Sequence, residues 1–205
     1  MTTADEIATL WRNSADAFSR ISGKDILSAA EVLHQVRVRN GVVLVAGNGG
    51  SSSTAAHFAA DLTKFTRRTG WPHLRTVSLT NDVSCLTAWT NDEDPALALA
   101  HLAEPWLQGE YPVGTNAVVL FSVHGGSRDG LVSSNLVELA SLARSHGTAV
   151  IAVTGFDGGA LGDLADVHVN VEMDVEPYAT PGVESLHLLV AHAICLAMRT
   201  TGEEL

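Results

Sequence analysis

His57 and Asp61 stand four residues apart in the run HFAAD. On a helix that spacing puts both side chains on one face. A neutral imidazole beside a carboxylate can hold a divalent cation such as Zn2+ or share a proton. The same pair is also common as a surface ion pair, so spacing alone does not make a site. A second group lies in VESLHLLVAH, where Glu184, His187 and His192 interrupt an apolar run. Titratable groups on so apolar a segment are costly unless paired or used. On a helix, Glu184 and His192 are about 80° apart around the axis and about 12 Å apart along it. They share one metal only if Glu184 is fully extended. Asn91 and Asp92 are a further polar pair, equally readable as a helix stop.

Two Gly/Ser stretches carry a different chemistry. GNGGSSS, Gly47 to Ser53, follows an apolar run and precedes a helical one. The amides of Asn48, Gly49 and Gly50, the hydroxyls of Ser51 and Ser52, and a helix N-terminus together suit an anion. The stretch matches neither the P-loop nor the dinucleotide fingerprint. SVHGGS, Ser122 to Ser127 with Val123 and His124 inside it, repeats the arrangement. Either loop alone is an ordinary turn. Two of them at the same sheet edge offer two sets of donors to a phosphorylated ligand between them. TGFDGG, Thr154 to Gly159, reads as plain turn chemistry.

The elements that must position these groups alternate. Short β-branched runs at 42–46, 74–79, 117–123, 148–154 and 166–171 are separated by helical stretches at 51–66, 82–108, 129–146 and 158–164. The helix at 82–108 should break near Asp92–Pro95. Continuous apolar strands are covered on both faces, which predicts a doubly wound α/β fold with a parallel sheet. Ligands then sit beyond the strands' carboxyl ends. Helical spacing at 4–21 and 25–38 predicts an N-terminal hairpin. A long apolar helix closes the chain at 182–199. We expect one domain over 1–205, with the hairpin at 1–40 and the α/β core at 41–200.

Composition narrows the function classes. Of 205 residues, 46% are apolar and 17% charged, which excludes a disordered chain. The net charge of −11 comes with no Lys/Arg run, so nucleic acid and anionic membranes are poor partners. No uninterrupted apolar stretch of about 18 residues is present, so no membrane span is expected. The N-terminus lacks signal-peptide character. Cys85 and Cys195 read as reduced thiols of a cytoplasmic protein. Trp11, Phe18, Ile21 and Leu33 on the hairpin, with the last helix, present more apolar surface than one small sheet covers, which predicts a homo-oligomer.

Taken together, GNGGSSSTAAHFAADL, the Asn91–Asp92 pair, SVHGGS, VTGFDGG and VESLHLLVAH resemble the sugar isomerase (SIS) domain family, and within it the phosphoheptose isomerases. The resemblance runs in order from about residue 25 to 199. It implies a five-stranded parallel sheet and a homotetramer with active sites between subunits. It also implies a Zn2+-supported ketose–aldose isomerisation of sedoheptulose 7-phosphate to D-glycero-D-manno-heptose 7-phosphate through an enediolate. It assigns His57, Asp61 and His192 as metal ligands, Asp61 and His192 also as the acid/base pair, and Glu184 to the position of a family glutamine, where its carboxylate suits the divalent cation as a fourth ligand. Asn48, Gly49, Gly50 and the loop from Ser122 to Ser127 take the substrate and its phosphate. Three departures stand out: Asp61 for a usual glutamate, Glu184 for the glutamine, and His124 for a serine of the phosphate loop. Other family members are non-catalytic adaptors that have lost the carboxylate or the last histidine, whereas this chain retains both. An isomerase for a different ketose phosphate is the other alternative.

Overall fold

A computed structural model describes residues 3–109, 112 and 114–200. The five β-branched runs form a fully parallel sheet from β1 (Val42–Gly47), β2 (Arg75–Ser78), β3 (Ala117–Ser122), β4 (Ala149–Gly155) and β5 (Val167–Val171), in the order β2-β1-β3-β4-β5. Every residue of β1 and β3 is buried. Alternate residues therefore enter two cores. Val43, Val45, Val119, Phe121 and Val153 face helices α1 (Ala4–Arg20), α2 (Gly23–Val38), α3 (Gly50–Lys64) and α8 (Ala179–Thr200). Leu44, Ala46, Val118, Leu120 and Ala152 face α5 (Ala98–Leu107), α6 (Ser134–Ser145) and α7 (Gly159–Leu164). Gly47 stands opposite Phe121 and Ser122 opposite Thr154. The loops leaving β1, β3 and β4 consequently open at one edge.

Helix ends follow their local chemistry. Thr3 and Glu6 form a capping box on α1, and the Ser22 hydroxyl accepts the Asp25 amide at the start of α2. The expected break near Asp92–Pro95 separates α4 (Val83–Asp92) from α5. Two elements differ from expectation. The helix expected from 129 begins at Ser134, because the Ser127 hydroxyl accepts the amides of Leu131 and Val132, and Gly130 and Ser133 have positive φ. These bonds spend residues 127–133 on a turn. The last helix begins at Ala179 rather than 182, since Pro181 falls in its first turn, where no amide donor is needed.

By length and composition α8 is the one helix among the described residues that could cross a membrane, where none was expected. Here it is a core helix, with Val183, Leu186, Val190, Ile194 and Met198 buried. Of the four hairpin positions expected to seek a partner, Trp11 and Phe18 are exposed, Ile21 is half-buried, and Leu33 is fully buried within this chain. Leu33 points inward because it shares a face with Ala29, Ala30 and Val36. The connection at 109–115 lies partly outside the described residues.

Phe58 anchors α3 to the sheet. It is fully buried and meets Phe121 edge-to-face, with ring centroids 5.6 Å apart. Phe58→Ala should lower unfolding free energy by about 3–5 kcal/mol, measured by urea denaturation, with Phe58→Leu costing less.

Candidate functional site

Helix α3 turns Ala55, Phe58 and Leu62 into the core, which leaves His57 and Asp61 on its outer side. Helix α8 does the same with Val190, Ala191 and Ile194, which leaves His192 outward. The two helices pack so that these three groups converge. Asp61 Oδ2 lies 3.5 Å from His57 Nε2 and 3.5 Å from His192 Nε2, and the two Nε2 atoms are 3.3 Å apart. The rings meet edge-on at 71°. Among the described residues this is the group whose ligand atoms could hold a metal ion. The spacing fits one. A tetrahedral ion with bonds of about 2.0–2.1 Å needs ligand atoms about 3.3–3.4 Å apart.

The cluster faces outward. His57 and His192 are nearly half exposed and Asp61 a quarter. Phe65, Leu189 and Leu196 around it are also exposed. Cys195, one turn after His192, is not part of it. Burial, with a smaller contribution from the Asp61 charge, pushes its thiol up to about 12. It is therefore a neutral core residue.

A pocket of about 260 Å3 lies where the first two loops meet. Asn48, Gly49 and Ser51 come from the first loop, Ser122, Val123 and His124 from the second, and Glu184 from α8. Ser133 and Thr180 complete it. The two Gly/Ser loops thus share one cavity, as their positions after β1 and β3 require. Gly50 lies directly beneath the Glu184 carboxylate. A Cβ there would lie 2.6 Å from Glu184 Oε1. Glu184 therefore sits against the first turn of α3, where the helix dipole favours a carboxylate. It is outside the histidine–aspartate cluster. Asn48 makes a reciprocal amide pair with Asn135, both bonds 2.9 Å.

Not every residue singled out in the sequence reaches this pocket. The Ser127 hydroxyl donates to Asp129 and accepts two amides, so it organises its own turn. Ser52 donates to the Gly49 carbonyl. Asn91 and Asp92 end α4, bond to each other, and lie in neither the pocket lining nor the cluster. Ser133 and Asn135, in the short run Ser133-Ser134-Asn135, and Thr180 gave no sequence signal, since polar residues are ordinary at a helix start. The third loop proves to be a buttress. Gly155, Ala160 and Leu161 donate their amides to the carbonyls of Val123, Gly126 and Gly125 at 2.8–2.9 Å. The approach is close enough that a Cβ on Gly125, which has φ of 70°, would lie 1.9 Å from the Gly158 carbonyl oxygen.

His187 lies beneath these loops, fully buried, with its ring 6.1 Å from Phe121. Neither ring nitrogen has a well-formed hydrogen bond. Burial pushes its pKa down to about 4, against a smaller opposing pull from the Thr154 backbone. The ring stays neutral when folded but takes a proton near pH 6.5 when unfolded. Its contribution is thus fully present above about pH 6.5 and is lost as pH falls toward about 4. His187→Phe should remove that loss. Between pH 7.5 and 5, wild type should lose roughly 2 kcal/mol more than the variant, measured by urea unfolding at both pH values.

Residues 11–155 match the SIS domain family. The lincomycin biosynthesis protein LmbN of Streptomyces lincolnensis is 54% identical over 170 residues, which are 83% of this chain and 60% of that protein. This chain therefore spans less than two thirds of that relative. A phosphoheptose isomerase of Aromatoleum aromaticum is 33% identical over 171 residues, 83% of this chain and 79% of that one. The structure of phosphoheptose isomerase GmhA from Neisseria gonorrhoeae superposes with a TM-score of 0.79 at 29% identity, covering 97% of both chains.

Proposed function

The chain belongs to the SIS domain family, and we propose that it is a single-domain sugar-phosphate isomerase interconverting a ketose and an aldose, with sedoheptulose 7-phosphate as substrate. The observation that carries this reading is the convergence of His57, Asp61 and His192, whose ligand atoms lie within 3.5 Å of one another. An adaptor that only binds a sugar phosphate has no need of an acid/base cluster. Isomerisation has to move one proton between C1 and C2 and another between their oxygens. Asp61, a carboxylate that only accepts when ionised, takes the carbon-bound proton and returns it to the neighbouring carbon. His192 serves the oxygen-bound proton. His57 holds Asp61 in place.

Two imidazoles and a carboxylate are an ordinary zinc ligand set, and three protein ligands leave a position open. We assign one Zn2+ per subunit to His57, Asp61 and His192. When bound, it supplies a Lewis acid for the carbonyl and the enediolate oxygen. The pocket of Asn48, Gly49, Ser51, Ser122 and His124 takes the phosphate, whose binding energy positions the reacting carbons. Glu184 lies outside the cluster and lines this pocket, where a carboxylate repels phosphate, so it is assigned to the sugar hydroxyls. That added charge, with His124 in the phosphate loop, favours as a second reading an isomerase of another ketose phosphate. Turnover across C5–C7 ketose phosphates, with and without chelator, decides between the two. Asp61→Asn and His192→Ala should each lower kcat by about 10²–10⁴-fold or more, with unchanged circular dichroism. Near-wild-type turnover in both would overturn the assignment.

The cluster lies on an open helix pair that offers no walls to exclude water, so we assign the walls to a neighbouring subunit of a homotetramer in the cytoplasm. Exposed Phe65, Leu189 and Leu196 surround it, α4 has no buried residue, and Trp11 and Phe18 are exposed on α1. A standard interface buries about 800 Å2 per partner. Light scattering at micromolar concentration should give four times the chain mass, and a monomer would overturn this arrangement.

A further inference from the structure

His124 lines two cavities. On one side is the pocket of about 260 Å3 just assigned to phosphate. On the other is a cleft of about 420 Å3 walled by Gly126, Arg128, Val132, Phe156 and Asp157. At the boundary the His124 imidazole stacks on the Phe156 ring, with centroids 4.4 Å apart and planes 29° apart.

Phe156 is held in place against its own backbone preference. Its φ is 52°, a left-handed conformation that bulky residues avoid. The surroundings enforce it. Asn170 Nδ2 donates to the Phe156 carbonyl at 3.0 Å, and the Thr154 hydroxyl donates to Asn170 Oδ1 at 2.9 Å. His168 Nε2 lies 2.6 Å from that same hydroxyl. One residue earlier, the Gly155 amide donates to Val123. Strain maintained in this way marks a position where the ring matters.

The far cleft is not a second anion site. Arg128 spends its guanidinium on Asp163 and Asp157, donating from Nε to Asp163 at 2.7 Å and from Nη1 to Asp157 at 3.1 Å. Two carboxylates outweigh its single charge. What remains is space for an uncharged group next to a phosphate pocket, with His124 as the shared wall and Phe156 stacked on it.

We propose that the His124–Phe156 stack is a partition that confines the ligand's phosphate to the smaller pocket and so selects phosphate monoesters over phosphodiesters. A diester's second alcohol turned toward the cleft beyond would meet His124, the wall that the two cavities share, and the Phe156 ring stacked on it. The proposal rests on reading the smaller pocket as the phosphate site.

The test is a pair of dissociation constants by isothermal titration calorimetry, for sedoheptulose 7-phosphate and for its 7-(phenyl phosphate) diester. They are measured in wild type, His124→Gly and Phe156→Gly. Glycine accepts positive φ, so Phe156→Gly deletes the ring while keeping the backbone. It also serves as the variant to read if His124→Gly fails to fold. The diester carries one charge fewer in all three proteins, and His124 also lines the phosphate pocket. A fall in the diester-to-monoester ratio of dissociation constants therefore supports the partition only where the diester itself binds more tightly than to wild type. A fall that comes only from weaker monoester binding overturns it. That ratio should fall by roughly 10- to 100-fold in His124→Gly, and by less in Phe156→Gly, where the imidazole remains. A ratio that stays within about twofold of wild type in the variants overturns the partition. Absence of monoester binding in wild type overturns the phosphate-pocket reading, and the partition with it.

Discussion

The packing of α3 on α8 is the constraint on which the rest depends. Phe58 and Leu62 on one helix, with Val190 and Ile194 on the other, belong to a single buried cluster. That burial fixes both helices in rotation. With the apolar sides committed inward, His57, Asp61 and His192 have one place to go, and their ligand atoms end within 3.5 Å of one another. Interiors packed this densely do not deform continuously, so a change in the core beneath the helices moves the acid/base groups above it. Burial of Cys195 on the same helix keeps a competing thiol neutral and out of the cluster.

A second constraint acts on the substrate side. Parallel pairing of β1, β3 and β4 brings their carboxyl ends to one edge, so three loops must share a small space. Gly125 makes that possible, because a side chain there would strike the Gly158 carbonyl. The third loop is then bonded through its backbone to the second, which holds the pocket open without using side chains. Hydroxyls and amides facing that pocket can then serve an anion.

Most of the architecture was legible because the physics that produces it is local. β-branched runs buried on both faces read as parallel strands, and all five were found within one or two residues. The candidate cluster of His57, Asp61 and His192 was legible in part. The spacing of His57 and Asp61 revealed a shared face, the apolar run around His192 marked it out, and the resemblance to phosphoheptose isomerases joined it to that pair. What could not be read was long-range. Asn135 pairs with a residue 87 positions away. Ser127 resembled a phosphate ligand by composition, yet spends its hydroxyl on the turn that follows. Glu184 was placed near a metal by alignment with the family glutamine, whereas the space over Gly50 places its carboxylate at the start of α3. Nothing in a linear pattern distinguishes a hydroxyl aimed at a ligand from one aimed at its own backbone.

The central claim is that the α3–α8 cluster moves a proton between adjacent carbons of a sugar phosphate. The most direct measurement follows deuterium by NMR when the protein turns over sedoheptulose 7-phosphate in deuterium oxide. Proton transfer through Asp61 exchanges with solvent, so deuterium should appear at C2 of the aldose and at C1 of the recovered ketose. It should disappear in Asp61→Asn. Isomerisation with complete retention of the original hydrogen, or exchange undiminished in Asp61→Asn, would contradict the account.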